Sequence, residues 1–328
     1  MKKRSAFILL CAVVAIGAAI AFVFRPNGEQ PSAVRGAYLP IVASLPVFVA
    51  QEHQIFDESG LRTEMTQYNN SNDMVTTLAS GQADILPAVS IIPILHLEIQ
   101  SPGSVRLFSH SRMRPEKAFD SIIVQSKSPI TRLDQLVDKK IGVFPGTSAT
   151  KMLKHFLAKQ GVDETSVTVV ALAPPAQLAS LKSGAVDALF TYEPITTIAI
   201  QRSDCRQLFG SVYADLLNPC PLGCSVISRR FERDRPEQAA KSVAAIDKAV
   251  EMMRSVPKDS KLLLNKYAKV DPEIAPLVNI VDVTLSEEVD VAMLQQFINL
   301  LFEAGEIPEA IEASRLVAPT SSTAKVGN

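Results

Sequence analysis

The chain has 328 residues, 47% hydrophobic and 20% charged, a composition that predicts a folded protein of about two compact units rather than disorder or a polytopic membrane protein. The formal net charge of −1 leaves no basic field for a phosphate backbone, which excludes nucleic acid as a partner. Tryptophan is absent and aromatic residues make up only 6%, so an aromatic cage is hard to build and the composition favours a small, polar ligand.

The N-terminus has the pattern of an export signal. Lys2, Lys3 and Arg4 precede an uncharged apolar run from Ala6 to Phe24. The run has 19 residues, close to the roughly 20 that a helix needs to span a bilayer. Residues 1–24 are therefore predicted to be a signal or a membrane anchor, and the mature protein is expected outside the cytoplasm.

Two interpretations of this segment stay open. Ala19-Ile20-Ala21 offers a small-x-small cleavage site, which favours a cleaved signal, whereas the length favours a retained anchor. A lipoprotein ranks third, because Leu10 before Cys11 is bulky. Residues 25–36 are rich in Pro, Gly and polar residues and are predicted to be a tether.

The next segments predict alternating strands and helices. Ala37 to Val49 is broken by prolines and suits a strand, a turn and a short helix. Asn72 to Ser80 has helical spacing, Gly81 serves as its C-terminal cap, and a strand follows at Ala83 to Leu86.

The same pattern returns about a hundred residues later. Ala176 to Ser183 is a predicted helix, Gly184 its cap and Val186 to Tyr192 a strand, so that Leu78–Asp84 is echoed by Leu181–Asp187. Two such units predict an α/β protein of two related lobes, each built on a mainly parallel sheet.

Between these units, the strand Lys140 to Phe144 runs into Pro145-Gly146-Thr147-Ser148, after which a helix begins. Backbone N–H groups and hydroxyls at a helix start can hold an anionic group. The alternative is that Thr147 or Ser148 only caps the helix, which is the more common role of such residues. The loop is not a nucleotide P-loop, since Thr147 stands where a second glycine is required and no Lys-Ser or Lys-Thr follows.

Tyr192, Glu193 and Pro194 end the strand of the second unit. Ligands of open α/β sheets bind beyond the carboxyl ends of strands, so Tyr192 and Glu193 are candidates for a cleft, as are Ser44 and Ser90 in the other lobe. The alternative is an ordinary strand-end turn.

The rest of the chain is predicted to be helical, with Ala239–Met253, Lys261–Tyr267 and Glu287–Phe302 carrying apolar faces. Residues 319–328 are predicted to be a disordered tail.

Three cysteines follow the signal: Cys205, Cys220 and Cys224. An oxidising compartment permits one disulfide with one thiol left over, and metal binding is the rival interpretation. No histidine adjoins these cysteines in the sequence, which favours a structural role. No metal, cofactor or catalytic residue is predicted, because hydrolase, zinc-protease and dinucleotide motifs are absent from the sequence.

The chain resembles the solute-binding proteins of nitrate, sulfonate, taurine and thiamine-precursor ABC importers, over roughly Val34 to Glu303. The segments that carry this resemblance are Tyr38–Pro40, Leu45–Glu52, Leu78–Asp84, Lys140–Ser148 and, most specifically, Gln177–Pro194. The chain departs from the family pattern at His53-Gln54 and at Asn218–Cys224, a loop that is expected to shape the pocket.

The resemblance implies a type II periplasmic-binding fold with two lobes joined by two crossover strands near Ser121–Gln125 and Ser225–Ser228. Lobe 1 would comprise residues 37–122 and 229–318, and lobe 2 residues 123–228. The ligand contacts that carry over are Ser44, Leu45, Ser90, Gly146, Thr147, Ser148, Tyr192 and Glu193.

The function expected from this resemblance is capture of a small anionic molecule by a monomer, without chemistry, and delivery to an ABC permease with its cytoplasmic ATPase. The N-terminal segment would provide the contact with the membrane. A biosynthetic enzyme on the same fold and a membrane-tethered ligand sensor are the rivals, and a thiamine pyrimidine precursor is an alternative ligand.

Overall fold

Ten strands form two sheets of five in the computed structural model, which describes residues 32–317. The strands are β1 (Val34–Tyr38), β2 (Thr63–Gln67), β3 (Ile85–Ser90), β4 (Val105–His110), β5 (Asp120–Gln125), β6 (Lys140–Val143), β7 (Thr168–Ala171), β8 (Ala188–Tyr192), β9 (Cys205–Gly210) and β10 (Gly223–Ser228). The α-helices are α1 (Leu45–Glu52), α2 (Ile55–Glu58), α3 (Ser71–Ala79), α4 (Ile91–Gln100), α5 (Thr147–Lys159), α6 (Pro174–Ser183), α7 (Ile195–Arg202), α8 (Val212–Leu216), α9 (Arg229–Asp234), α10 (Pro236–Ser255), α11 (Pro257–Ala268) and α12 (Val291–Glu303).

The two sheets have the same topology. The first sheet has the order β2-β1-β3-β10-β4 and the second β7-β6-β8-β5-β9. In each sheet one strand, β10 or β5, runs antiparallel to its two neighbours, and the other four share a direction. The predicted α/β fold with two mainly parallel sheets is confirmed.

The sequence echo between the two predicted units corresponds to a repeated contact. In the first sheet, the Asp84 N–H donates to the Arg35 carbonyl at 2.8 Å, and the Asp84 carboxylate accepts from the Arg35 N–H at 2.9 Å. Asp187 makes the same two bonds to the backbone of Lys140, both at 2.8 Å. Each aspartate thus joins the start of a central strand to the start of its neighbour.

The two aspartates differ in burial. Asp187 is exposed, whereas the Asp84 side chain is only 4% exposed and forms ion pairs with Arg35 at 2.9 Å and Arg235 at 2.7 Å. Burial acts to raise the pKa of Asp84, but hydrogen bonds from Arg35 and Arg235 outweigh it and the pKa is lowered. Asp84 therefore joins β1, β3 and the start of α10 through one buried charge.

The chain passes between the sheets twice, through residues 111–119 and 211–222. Met113 and Cys220 exchange backbone hydrogen bonds of 3.0 and 2.9 Å, which pairs the two crossing segments.

The predicted lobe boundaries need correction at these places. Residues 120–122 were expected in lobe 1, but all of β5 pairs with β8 and β9. Residues 223–228 were expected in lobe 2, but β10 pairs with β3 and β4. The crossover strands predicted at 121–125 and 225–228 are therefore members of the sheets, and the crossings lie just before them.

At the N-terminus, residues 34–36 of the expected tether belong to β1, because β1 pairs with β2 from Val34 onward. The predicted signal or anchor at 1–24 and the predicted tail at 319–328 lie outside the described residues. Within residues 32–317, no helix combines the length and hydrophobicity that crossing a membrane requires.

The three described cysteines do not form the disulfide that an oxidising compartment would permit. Cys205, Cys220 and Cys224 are all buried free thiols. Among the residues that the structure describes, no group of three or more His, Cys, Asp or Glu side chains is arranged to hold a metal ion.

The difference in burial between the two repeated aspartates gives a matched pair of substitutions. Asp84→Asn removes a buried charge together with its ion pairs to Arg35 and Arg235, so the free energy of unfolding should fall by about 3 kcal/mol. Asp187→Asn removes only an exposed carboxylate and should cost less than about 1 kcal/mol. Urea unfolding followed by circular dichroism measures both, and equal losses would contradict this account.

Candidate functional site

A cavity lies beyond the carboxyl ends of β3, β6 and β8. It encloses roughly 770 Å³ of empty space, part of it open to solvent. The lining residues are Leu39, Ile41, Ala43, Ser71, Asn72, Pro87, Ala88, Val89, Ser90, Ser109, His110, Ser111, Met113, Phe119, Phe144, Pro145, Gly146, Ser148, Ala149, Tyr192, Leu222, Gly223, Cys224, Ser225, Val281 and Val283.

Three helices begin at this cavity. Ser71 and Asn72 open α3, Ser90 is the N-cap of α4, and Gly146 is the N-cap of α5. Gly146 has φ of +115°, a conformation that favours glycine, and it turns the chain from β6 into α5. Because helix N-termini carry partial positive charge and N–H groups without helical partners, their convergence favours an anionic group.

Two hydroxyl groups meet across the cavity. The Ser90 and Ser148 Oγ atoms are hydrogen bonded at 2.9 Å, and they join the end of β3 in the first sheet to the start of α5 beside the second sheet. The Ser90 N–H also donates to the Ser71 hydroxyl at 3.2 Å. These serines provide donors and acceptors where the helices converge.

Aromatic rings form another part of the wall. Phe119 and Phe144 both stack on Tyr192, with ring centroids 5.0 and 5.2 Å apart. The Tyr192 hydroxyl is hydrogen bonded to that of Tyr213, which is fully buried. The composition predicted that an aromatic cage would be hard to build; three aromatic rings nevertheless lie together in this wall.

The cavity lining carries no formally charged side chain. None of the lining residues is Asp, Glu, Lys or Arg, and the titratable ones are His110, Tyr192 and Cys224. Burial raises the pKa of the Tyr192 hydroxyl above its usual range, so Tyr192 is neutral.

His110 and Cys224 are neighbours in space although they are far apart in the sequence. They are register partners in the β4–β10 ladder. His110 Nδ1 donates to the Ser111 carbonyl at 2.9 Å, and Nε2 accepts from the Asp290 N–H at 3.0 Å, which fixes a neutral ring with both nitrogens engaged. Burial lowers the pKa of His110 and raises that of the Cys224 thiol, so this pair lacks the features of an activated nucleophile and its base.

A carboxyl group is buried next to the aromatic wall. Asp120 follows Phe119, is 0% exposed, and accepts a hydrogen bond from the Tyr213 N–H at 3.2 Å. Burial raises the pKa of Asp120 to about 7, since no cation compensates for the lost hydration.

Of the eight residues predicted to contact ligand, four line the cavity: Ser90, Gly146, Ser148 and Tyr192. They are brought together because each lies at the carboxyl end of a strand or at the start of the helix that follows.

The other four predicted contacts do not line the cavity. Ser44 and Leu45 are 0% exposed at the start of α1, and their neighbour Ala43 contributes to the lining instead. Thr147 is exposed. Glu193 is turned into the protein, where its carboxylate accepts from the Thr197 hydroxyl at 2.8 Å and from the Thr197 N–H at 3.2 Å.

Several lining residues were not predicted. Phe119, His110 and Met113 lie on or beside the first crossing segment, while Val281 and Val283 come from the C-terminal region. These positions carry no local motif that the sequence could show. The segment Leu222–Cys224 had a signal, because it belongs to the unusual loop expected to shape the pocket.

The chain is similar to known proteins in sequence and in structure. The profile of the family described as NMT1/THI5 like matches residues 42–260. A protein of Brucella abortus (strain 2308) named as a binding protein is 23% identical over 228 residues, which cover 68% of this chain and 67% of that protein.

The solved structures with this fold include binding proteins and an enzyme. The alkanesulfonate-binding protein SsuA from Xanthomonas axonopodis pv. citri, bound to MOPS, superimposes with a TM-score of 0.72 at 19% identity over 89% of this chain and 99% of that chain. The periplasmic nitrate-binding protein NrtA from Synechocystis PCC 6803 gives 0.67 at 14% identity over 86% and 84%. The desulfurization enzyme DSZB gives 0.62 at 17% identity over 87% and 96%.

Asp120 predicts a pH dependence of stability. Its pKa is about 7 in the folded chain and about 3.9 when unfolded, so the folded state binds the proton more tightly. The stability that this proton contributes is fully present below about pH 4 and is lost as the pH rises through about 7. Asp120→Asn removes this titration. The free energy of unfolding of the wild type minus that of the variant should therefore fall by on the order of 3 kcal/mol between about pH 4 and 7.5.

Urea unfolding of both proteins across this pH range measures the difference. A difference that does not change with pH would contradict the assignment.

Proposed function

Because the chain belongs to the NMT1/THI5-like family, we propose that it is the extracytoplasmic solute-binding component of an ABC importer. It captures a small organic molecule with an anionic group and delivers it to a membrane permease with a cytoplasmic ATPase. The family membership and the fold shared with sulfonate- and nitrate-binding proteins support this role.

The observation that carries the proposal is the convergence of three helix N-termini on one cavity between the two sheets. The starts of α3, α4 and α5 direct the positive ends of their dipoles there, and Ser90 and Ser148 supply hydroxyls. Such a site binds a sulfonate or similar group without a cationic side chain, because the donors are fixed before the ligand arrives.

Ligand capture would proceed by closure of the two sheets on the cavity. The cavity takes walls from both sheets, and the Ser90–Ser148 bond spans them, so this contact belongs to the closed arrangement. A ligand shifts the equilibrium toward closure by its stronger binding to the closed form.

Binding without turnover is the proposed mode of action, even though the enzyme DSZB shares the fold. His110 has both ring nitrogens engaged and Cys224 has a raised pKa, which supports binding alone. We further propose that residues 1–24 export or anchor the chain and that the mature protein acts as a monomer at the outer face of the cytoplasmic membrane.

The experiment measures thermal stabilisation of the full-length protein by ethanesulfonate, benzenesulfonate, taurine, nitrate and hydroxymethylpyrimidine. A ligand that binds only the folded state raises the melting temperature. We expect at least one sulfonate to raise the melting temperature. NMR spectra of that sulfonate should show no product after incubation with the protein. Stabilisation by the neutral pyrimidine alone would contradict an anion site. Conversion of a ligand to product would support the rival hypothesis that the chain is an enzyme.

Substitution of the serine at the start of α5 tests the geometry. Ser148→Ala should weaken sulfonate binding roughly tenfold, because a hydrogen bond to a charged group contributes about 1.5–3 kcal/mol. Thr150→Ala, in the same helix but outside the cavity lining, is the matched control. Calorimetric titration measures both affinities, and equal effects of the two substitutions would exclude Ser148 from the site.

A further inference from the structure

We infer that the ligand of this cavity contains an aromatic ring, one anionic group and no ammonium group. This inference rests on the proposed function and specifies the chemical class of its solute. It excludes taurine and nitrate, which the sequence left open, and favours arylsulfonates and related aromatic monoanions.

The absence of an ammonium group follows from the charges around the cavity. Among the described residues no carboxylate lines it; the buried carboxyls next to lining residues are Asp120, which accepts from the Tyr213 N–H, and Glu193, which accepts from Thr197. An ammonium group enclosed here would lose its hydration without gaining an ion pair, which is costly. A zwitterion such as taurine is therefore a poor ligand.

A single negative charge is the most that the cavity can accommodate. No Lys or Arg within residues 32–317 lines it, so an anion is held only by helix N-termini and polar side chains without formal charge. These partial charges suit one anionic group at the end where Ser90 and Ser148 meet, and a second anionic group would bring two like charges into one cavity with no cation to offset them.

The apolar part of the cavity requires a ligand with an apolar body. The lining also includes the apolar side chains of Leu39, Met113, Val281 and Val283. Nitrate has no apolar surface to place against these side chains. A ligand with a hydrocarbon body gains binding free energy roughly in proportion to the apolar area that it removes from water.

The aromatic wall selects a ring over an aliphatic body. Phe119, Tyr192 and Phe144 are stacked together, and Tyr192 is further fixed by its hydrogen bond to Tyr213, so the wall is rigid before ligand arrives. Aromatic pairs in stacked or edge-to-face contact bind more strongly than the buried area alone predicts. A planar ring on the ligand would extend this cluster.

Two matched pairs of probes test the inference by calorimetric titration of the full-length protein. Benzenesulfonate and cyclohexanesulfonate differ in the aromaticity of the ring, and ethanesulfonate and taurine differ in the ammonium group. We expect benzenesulfonate to bind roughly three- to tenfold more tightly than cyclohexanesulfonate. Taurine should bind at least about tenfold more weakly than ethanesulfonate, because its ammonium group lacks a partner.

The outcomes separate this inference from the proposed function. If cyclohexanesulfonate binds as tightly as benzenesulfonate, or taurine as tightly as ethanesulfonate, the inference is overturned while sulfonate capture stands. If neutral benzenesulfonamide binds as tightly as benzenesulfonate, the ring is supported and the anion site of the proposed function fails. If none of these probes binds, both are overturned.

A pair of variants places the ring preference on the aromatic wall. Phe144→Leu should reduce the ratio of benzenesulfonate to cyclohexanesulfonate affinity toward one. Phe209→Leu, which removes a ring paired with Phe156 outside the cavity lining, should leave the ratio unchanged. Phe119→Leu serves as a second wall variant if Phe144→Leu does not fold, and a ratio unaffected by either wall substitution would overturn the assignment.

Discussion

The geometry of the cavity depends on backbone pairing where the chain crosses between the sheets. Met113 and Cys220 exchange two hydrogen bonds, the neighbouring Ser111 N–H donates to the Gly223 carbonyl at 2.7 Å, and the Arg112 N–H donates to the Asp282 carbonyl at 2.8 Å. Three separate stretches of chain are thereby held side by side. This pairing fixes where the carboxyl ends of the two sheets face each other, and hence which side chains can reach one ligand.

The fold could be predicted from the sequence because its signals are local. A helix that ends in a glycine with positive φ and continues through an aspartate into a strand occurs at Gly81 and again at Gly184, so each unit could be recognised from a few adjacent residues. The backbone partners of the two aspartates, Arg35 and Lys140, lie 49 and 47 residues earlier in the chain and could not be read from these units. Four of the eight predicted contacts followed from the same logic, since Ser90, Gly146, Ser148 and Tyr192 lie at strand ends or at the start of the helix that follows. Glu193 shows the limit, because adjacent residues at a strand end point in opposite directions and the sequence does not show which one faces the cleft.

The remaining features of the site depend on contacts between distant segments. Three aromatic rings from three segments stack at one wall, although the overall aromatic content is low, because composition gives no information about position. The same applies to charge: the chain has 33 basic and 34 acidic residues, yet none of those within residues 32–317 lines the cavity. The chemistry of the ligand is thus determined by which residues the topology keeps away from the cleft as much as by those it places there.

Cys224 has a consequence for how motion of the protein can be followed. Of the three described cysteines, Cys224 lines the cavity, and its exposed fraction is 3%. Cys205 and Cys220 are not part of the lining. A reagent that alkylates thiols reaches Cys224 only when the cleft is open. While the cleft is closed, burial raises the pKa of Cys224 and so keeps it in the unreactive thiol form. The rate at which Cys224 is alkylated therefore reports how often the cleft opens, without any engineered label.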